Sequence, residues 1–325
     1  MRKPEYIKKG STIGFIAPSF GLFDEKHLNK YKKAKEFFIN NGYNVVESKY
    51  LYTENFLNDT KAEVRAKDFL DMYLDPNIDI LLSVCGGELL MELLEYIDFD
   101  VINKAKPKYI LGYSDNTNLT FLLTTLCNIE SIYGINATAF SNNNLDYVKD
   151  TFDLINGKKF EFKSYKFFEN EDEEFVNEVN YIGSVDMKGL MLGGCLEVFK
   201  NLCGTKYDKV SEYTKNNKDI IFYFDVCESN PLQVYQTLWQ LKNANWFNNI
   251  KGFIFGRTIN NNIYDFTYID AIYRALGDIT SNIVINADLG HIHPIIPFIN
   301  GRVCHVIVKD GKGKFIYEWY YKKQA

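Results

Sequence analysis

The chain has 325 residues, of which 46% are hydrophobic and 24% are charged. This composition is typical of globular proteins and excludes a largely disordered or fibrous chain, and the length favours two domains. The 37 basic and 42 acidic residues give a formal net charge of −5 at pH 7, which argues against a nucleic acid or an anionic membrane as a partner. Because the N-terminus lacks a signal-peptide pattern and no apolar run approaches the length of a membrane span, we expect a cytoplasmic protein.

Strands and helices alternate through the first third of the chain. Short apolar runs predict strands at 12–17, 44–46, 78–84 and 109–113. Apolar residues at helical spacing predict helices at 28–41, 60–73, 88–97 and 119–126. The second of these helices is expected to begin with a capping box formed by Thr60 and Glu63. This alternation predicts a parallel sheet covered by helices on both faces, with ligand sites at the carboxyl ends of its strands.

The pattern changes between about 145 and 180, where an acidic run at 169–174 shows no sustained period and is interpreted as part of a linker or hairpin. Further on, the sequence predicts strands at 187–192, 219–224, 252–255 and 283–287, a helix at 231–241, and a terminal hairpin of 302–309 and 315–321. The predicted fold class is α/β. It comprises an N-terminal parallel-sheet α/β domain (1–145), a linker (146–180) and a C-terminal mixed α/β domain (181–325).

The segment Gly112-Tyr113-Ser114-Asp115-Asn116 lies where the fourth predicted strand turns into a helix. A serine at such a turn points its hydroxyl out of the sheet, and the backbone N–H groups at the start of the next helix can hold an oxyanion. Ser114 is therefore a candidate nucleophile. The second glycine of a G-x-S-x-G motif is missing, so the alternative that Ser114 or Asp115 only caps the helix stays open.

A serine nucleophile needs a general base, and the chain has four histidines. His291 follows an apolar strand and enters a loop, a position that suits a base. His293 makes a metal-binding pair the alternative, but no Cys or carboxylate cluster at ligand spacing accompanies the two rings, so we expect no metal. The acid that orients the base is expected after the strand 219–224, where Asp225 and Glu228 are the candidates, unless both are only surface acids at the start of a loop.

Gly86 and Gly87 follow the third predicted strand, where they allow the backbone to approach a substrate closely, as an oxyanion donor or a phosphate cradle requires. Neither a P-loop nor a GxGxxG motif is present, and no cofactor is predicted. The six cysteines show no pair spacing and are interpreted as reduced, mostly structural thiols.

Taken in chain order, these segments resemble the LD-carboxypeptidase family of serine peptidases, the S66 class. The segments that carry the resemblance are 13–19, 86–87, 92–98, 112–117, 189–205 and 288–301. They are collinear with the family over nearly the whole chain, which makes the resemblance more specific than any single motif. The segment Glu92-Leu93-Leu94 and Tyr113 are more similar to the branch related to microcin C immunity peptidases than to the strict tetrapeptide carboxypeptidases.

The resemblance implies a serine peptidase that cleaves an amide bond near the C-terminal end of a small peptide-like substrate. That substrate is either an LD-linked muropeptide or a microcin-type peptidyl or aminoacyl nucleotide. The implied site residues are the catalytic Ser114, Asp225 and His291, the oxyanion-hole residues Gly87 and Asp115, and the substrate-binding residues Gly86 and Glu228. The resemblance also implies a homodimer that needs no cofactor.

Four places depart from the family pattern, and at one of them Tyr133-Gly134-Ile135 replaces a Gly-Pro turn. Asp225 stands where the family normally carries Glu, while Cys85 and Cys195 stand where Arg and Asn are usual. The shorter acid reaches about 1.3–1.5 Å less far, a gap that a strand shift or recruitment of Glu228 could close. The departures at Asp225, Cys85 and Cys195 motivate the alternative of a catalytically weak peptide-binding protein with the same fold.

Overall fold

The computed structural model describes residues 1–56, 60–170 and 172–319, and two β-sheets form its framework. The strands are β1 (Thr12–Ile16), β2 (Asn44–Glu47), β3 (Ile80–Ser83), β4 (Tyr109–Gly112), β5 (Ser131–Tyr133), β6 (Glu161–Lys163), β7 (Phe167–Glu169), β8 (Phe175–Glu178), β9 (Val185–Cys195), β10 (Ile220–Asp225), β11 (Ile250–Gly256), β12 (Asn262–Ile263), β13 (Phe266–Thr267), β14 (Ile283–Ala287), β15 (Phe298–Asn300), β16 (Val303–Lys309) and β17 (Lys312–Tyr317). The α-helices are α1 (Glu25–Asn40), α2 (Ala62–Leu74), α3 (Phe99–Lys104), α4 (Thr117–Cys127), α5 (Asp146–Ile155), α6 (Leu196–Leu202), α7 (Val210–Asn216), α8 (Pro231–Asn243) and α9 (Tyr268–Leu276).

The first sheet has six strands in the order β15-β5-β4-β3-β1-β2. Its strands β1 to β5 are parallel, and only β15 runs antiparallel, against β5. Every residue of β3 and β4 is buried, as expected for short apolar strands covered by helices on both faces. This arrangement confirms the α/β fold class and the predicted parallel sheet.

The second sheet has seven strands in the order β14-β11-β10-β9-β16-β17-β6. Its first four strands are parallel, whereas β16, β17 and β6 add antiparallel neighbours, so the sheet is mixed as predicted. The helix α8 after β10 starts with Pro231 in its first turn and with a capping box between Asn230 and Gln233.

The two sheets meet near the carboxyl ends of β4 and β9. The hydroxyl of Thr117, the first residue of α4, accepts a hydrogen bond from the Cys195 N–H at 2.9 Å. A Cβ on Gly194 would lie 2.5 Å from the Thr117 methyl group, so a larger residue at 194 would push the two sheets apart. Glycine is thus needed where the first turn of α4 packs against the second sheet.

Several local features differ from the sequence prediction. Residues 146–180 hold a helix and three strands, and β6 belongs to the second sheet because it pairs with β17 and buries Phe162. The helix predicted at 88–97 is instead a 3-10 helix, Leu90–Glu95, whose first N–H group bonds the Asp115 carboxylate at 2.9 Å. The predicted strand end at Tyr321 and Glu171 of the acidic run lie outside the described residues.

The expected capping box of the second helix is wrong. Helix α2 begins at Ala62, and its N-cap residue, Lys61, makes no side-chain cap. The Thr60 carbonyl instead accepts a hydrogen bond from Arg65 Nε at 3.0 Å.

Among the described residues, no helix is both long enough and apolar enough to cross a membrane. All six cysteines carry free thiols.

Candidate active site

Ser114 lies directly after β4, at the start of the 3-10 helix Ser114–Asn116 that leads into α4. Its backbone has φ +62°, in the left-handed region that non-glycine residues seldom adopt. This sharp turn lifts the side chain off the end of the strand, which is the geometry expected of a nucleophile at a strand–helix junction. The Ser114 N–H donates to the Tyr133 hydroxyl at 3.0 Å.

A continuous chain of contacts joins Ser114, His291 and Asp225. Ser114 Oγ lies 3.0 Å from His291 Nε2, and His291 Nδ1 lies 3.0 Å and 2.9 Å from the two carboxylate oxygens of Asp225. The three side chains come from the turn after β4, the loop after β14 and the end of β10, and are separated by 66 to 177 residues in sequence. The structure therefore brings together the three residues predicted as nucleophile, base and acid.

The loop that carries His291 is held by Arg257, a buried residue just after β11. One guanidinium nitrogen donates to Asp288 Oδ1 at 2.7 Å, and the other donates to the carbonyls of Ile292 and Pro294 at 3.2 Å and 3.0 Å. The Asp288 side chain is fully buried and that of Arg257 is 5% exposed, so the pair is shielded from water. The fork of donors fixes the loop on both sides of His291.

Asp225 reaches the imidazole in spite of its short side chain because the histidine loop comes very close to it. A Cβ at Gly290 (φ +100°) would lie 2.1 Å from Asp225 Oδ1, so only glycine permits this approach. Asp225 is fully buried, and its second oxygen accepts a hydrogen bond from the Tyr133 hydroxyl at 2.6 Å.

The buried surroundings shift the protonation equilibria of the site. Burial disfavours the charged imidazolium, but the facing Asp225 carboxylate outweighs this effect and holds the pKa of His291 well above its usual value. Burial together with Asp225 raises the pKa of the Tyr133 hydroxyl, which therefore stays protonated. Burial also raises the pKa of the Cys85 thiol to about 12, so this cysteine stays neutral and unreactive.

The residues predicted around the triad occupy distinct places. A Cβ on Gly86 would lie 3.2 Å from Ser114 Oγ, so the Gly86 backbone lies directly against the serine. Gly87 has φ +143°, while the Asp115 carboxylate is buried and accepts hydrogen bonds from Leu90 N–H and Asn118 Nδ2. Glu228 is exposed; its N–H donates to Glu197 at 3.2 Å, and none of its described contacts involves His291.

Two open cavities of about 560 and 1020 Å³ meet at the triad. The first lobe contains Ser114, a wall of aromatic rings and the acids Glu88, Glu197 and Glu228. The second lobe extends under the hairpin β7–β8 and contains Lys30. His291 and five other residues line both lobes: His27, Cys85, Gly86, Tyr113 and Asn136. An extended substrate can therefore cross the serine with one part in each lobe.

Sequence reasoning missed two residues that hold the site together, Tyr133 and Arg257. Both are long polar side chains that follow or end apolar strands, which is the signal that could have identified them. It also missed Glu169 of β7, whose carboxylate accepts hydrogen bonds from the N–H and the ring of His293, at 2.7 Å each. The segment expected to be a linker thus contacts the histidine loop.

No group of three or more potential ligands within the described ranges could hold a metal ion.

Residues 13–134 match the family model of the LD-carboxypeptidase N-terminal domain, and residues 188–306 match that of the C-terminal domain. The chain is 25% identical over 235 residues to the microcin C7 self-immunity protein MccF of Escherichia coli, which covers 66% of this chain and 67% of that protein. An MccF-like protein from Bacillus anthracis str. Ames has a TM-score of 0.83 at 23% identity, covering 97% of this chain and 99% of that one. A muramoyltetrapeptide carboxypeptidase from Oxalobacter formigenes has a TM-score of 0.75 at 20% identity, covering 95% and 99%. The chain therefore belongs to the LD-carboxypeptidase family of serine peptidases.

Proposed function

We propose that this peptidase hydrolyses an amide bond near the C-terminal end of a small peptide-like substrate by means of Ser114, His291 and Asp225. The observation that supports the proposal is the unbroken path from Ser114 Oγ through the imidazole to a buried carboxylate. His291 Nε2 takes the serine proton as Oγ attacks the carbonyl carbon, and Asp225 stabilises the imidazolium that forms. The same nitrogen then protonates the departing amine, and water hydrolyses the acyl-enzyme with His291 again as the base.

The oxyanion of the tetrahedral intermediate would be held by the backbone N–H groups of Gly87 and Asp115. The Ser114 N–H is already engaged by Tyr133, so it is not available for this purpose. Asp115 lies in the first turn of a 3-10 helix, where backbone N–H groups lack intrahelical partners and point toward the N-terminal end. Gly86 adjoins the serine hydroxyl, so its neighbour Gly87 is well placed to contribute the second donor.

The charges that line the two lobes suggest how the substrate is oriented. Lys30 is the only Lys or Arg among the described lining residues. It belongs to the second lobe, whose wall also carries the acids Glu169, Asp172 and Glu173, whereas Glu88, Glu197 and Glu228 line the first lobe. We propose that the anionic end of the substrate lies in the second lobe beside Lys30. Both candidate substrates, an LD-linked muropeptide and a microcin-type peptidyl or aminoacyl nucleotide, carry such an anionic group.

We further propose that the enzyme is a cytoplasmic homodimer that works without a cofactor. A second candidate function, tight peptide binding with little turnover, is favoured by the departures from the family pattern at Cys85, Cys195 and Asp225. The position of Asp225 against the imidazole supports the enzyme instead, because the shorter acid still contacts His291 at 2.9 Å.

A fluorophosphonate probe separates the enzyme from the binding protein. We expect the probe to label the wild type and the control variant Ser141→Ala, whose serine lines the second lobe, but not Ser114→Ala. We expect His291→Ala to lower kcat by about 10³-fold or more, as loss of a triad base does. Mass spectrometry of products from an L,D-tetrapeptide and from a processed microcin analogue would identify the substrate. Tight peptide binding without labelling or products would refute the proposed function.

A further inference from the structure

Tyr133, at the end of β5, joins the nucleophile turn to the acid through one hydroxyl group. This hydroxyl accepts a hydrogen bond from the Ser114 N–H at 3.0 Å and donates one to Asp225 Oδ2 at 2.6 Å. The ring is fully buried and does not line either lobe of the cavity, so it does not touch substrate. We propose that Tyr133 is a positioning residue that fixes the Ser114 turn and, through Asp225, limits the basicity of His291, an inference that rests on the proposed function.

The acid depends on Tyr133 because it has few other partners. Within the described part of the chain, the hydrogen bonds that the Asp225 carboxylate accepts come from His291 and Tyr133. Asp225 is fully buried, so water cannot replace a lost donor. His291 Nδ1 contacts both carboxylate oxygens, and the Tyr133 hydroxyl withdraws part of their negative charge from the imidazole.

The nucleophile depends on the same hydroxyl. Ser114 holds a left-handed backbone conformation (φ +62°), which requires support from its surroundings. Its N–H points at Tyr133 because β4 and β5 are parallel neighbours in which Gly112 pairs with Tyr133. The hydroxyl can accept from Ser114 and donate to Asp225 at once only while it is protonated, and its burial keeps it so.

The test is Tyr133→Phe, which keeps the ring and removes the hydroxyl. We expect kcat to fall by about 10- to 100-fold, as for the loss of a hydrogen bond to a charged group, while KM stays within about twofold because no substrate contact changes. Without the donor, more of the negative charge of Asp225 acts on the imidazole, which raises the pKa of His291. The acid limb, which is the part of the pH profile of kcat/KM that rises as His291 loses its proton, should therefore move to higher pH.

A purely structural role would give a different profile. Loosening the Asp225–His291 pair would lower the pKa of the imidazole and move the acid limb down. Tyr223→Phe is the matched control, because this neighbouring buried tyrosine donates to Asn300 at 2.8 Å and not to a triad residue, and should leave kcat and the acid limb unchanged. A kcat within twofold of wild type for Tyr133→Phe, or an acid limb that stays or falls, would overturn the proposal.

A second variant keeps the inference testable if Tyr133→Phe does not fold. A 3-fluorotyrosine placed at position 133 has a more acidic hydroxyl and donates more strongly to Asp225, so the acid limb should move to lower pH. An unchanged limb would contradict the proposed role. Activity that persists in Ser114→Ala would instead refute the proposed function, which keeps the two failures distinct.

Discussion

Arg257→Met tests whether a buried guanidinium holds the histidine loop in place. The substitution keeps a long apolar side chain but removes the ion pair with Asp288 at 2.7 Å and the hydrogen bonds to the carbonyls of Ile292 and Pro294. Asp288 would stay fully buried without a counter-ion, which typically costs about 3–5 kcal/mol of unfolding free energy. We expect urea unfolding to show a loss of this size.

The penalty should also depend on pH. Burial raises the pKa of Asp288 and Arg257 opposes this effect, so the pKa of Asp288 rises further in the variant. A carboxyl group whose folded pKa exceeds its unfolded value of about 3.9 destabilises the protein above that range and not below it. The difference between Arg257→Met and wild type should therefore be largest at neutral pH and shrink as the pH falls toward 4.

Two further variants separate the charge from the fork of donors. Arg257→Lys keeps the cation but cannot reach both sides of the loop, so we expect a smaller loss of stability together with a clear loss of kcat. Arg257→Met combined with Asp288→Asn should recover at least about 1 kcal/mol relative to Arg257→Met alone, because no buried charge remains. Unfolding free energies within about 1 kcal/mol of wild type for Arg257→Met, or an unchanged kcat, would refute the reasoning.

Three other predictions concern the triad and the lobes. Asp225→Asn should lower kcat by about 10³- to 10⁴-fold and move the acid limb of kcat/KM to lower pH, because burial then dominates the pKa of His291. Glu228→Gln should leave kcat within twofold of wild type and the acid limb in place. A severe effect of Glu228→Gln alone would make Glu228 the acid. Gly290→Ala, whose Cβ would lie 2.1 Å from Asp225 Oδ1, should lower kcat by about 100-fold or more in steady-state assays, and wild-type turnover would contradict the close approach. Lys30→Gln should raise KM for substrates with a terminal carboxylate, while Lys30→Arg and substrates with a terminal amide show little change; equal KM values for Lys30→Gln and wild type would exclude this residue from binding.

Much of the architecture could be predicted because the fully buried strands β3, β4 and β10 are short apolar runs that lead into polar residues. The carboxyl ends of β4 and β10 carry Ser114 and Asp225, and a polar residue at such a position is a recognisable signal of a site. The peptidase family was predicted from the same segments and is confirmed. The catalytic roles of the individual residues stay predictions.

The features that sequence reasoning missed depend on contacts between distant segments. The 3-10 helix Leu90–Glu95 replaces the expected helix because the Asp115 carboxylate and the Ser19 hydroxyl bind the N–H groups of Leu90 and Leu89. Local periodicity contains no information about such tertiary partners. The position of Tyr133 at the end of β5 marks it as a candidate site residue, but the local sequence does not indicate that it meets both Ser114 and Asp225.

Residues 287–298, which include His291, are anchored at one end to β14 of the second sheet and at the other to β15 of the first. During synthesis, the first sheet gains its edge strand only after the ribosome has passed residue 300, when the imidazole is also available. An isolated fragment ending at residue 145 would leave the β5 edge uncovered and prone to pair with other chains. A cut between the two sheets would therefore separate β15 from the first sheet, and catalytic competence should appear only when both halves reassemble.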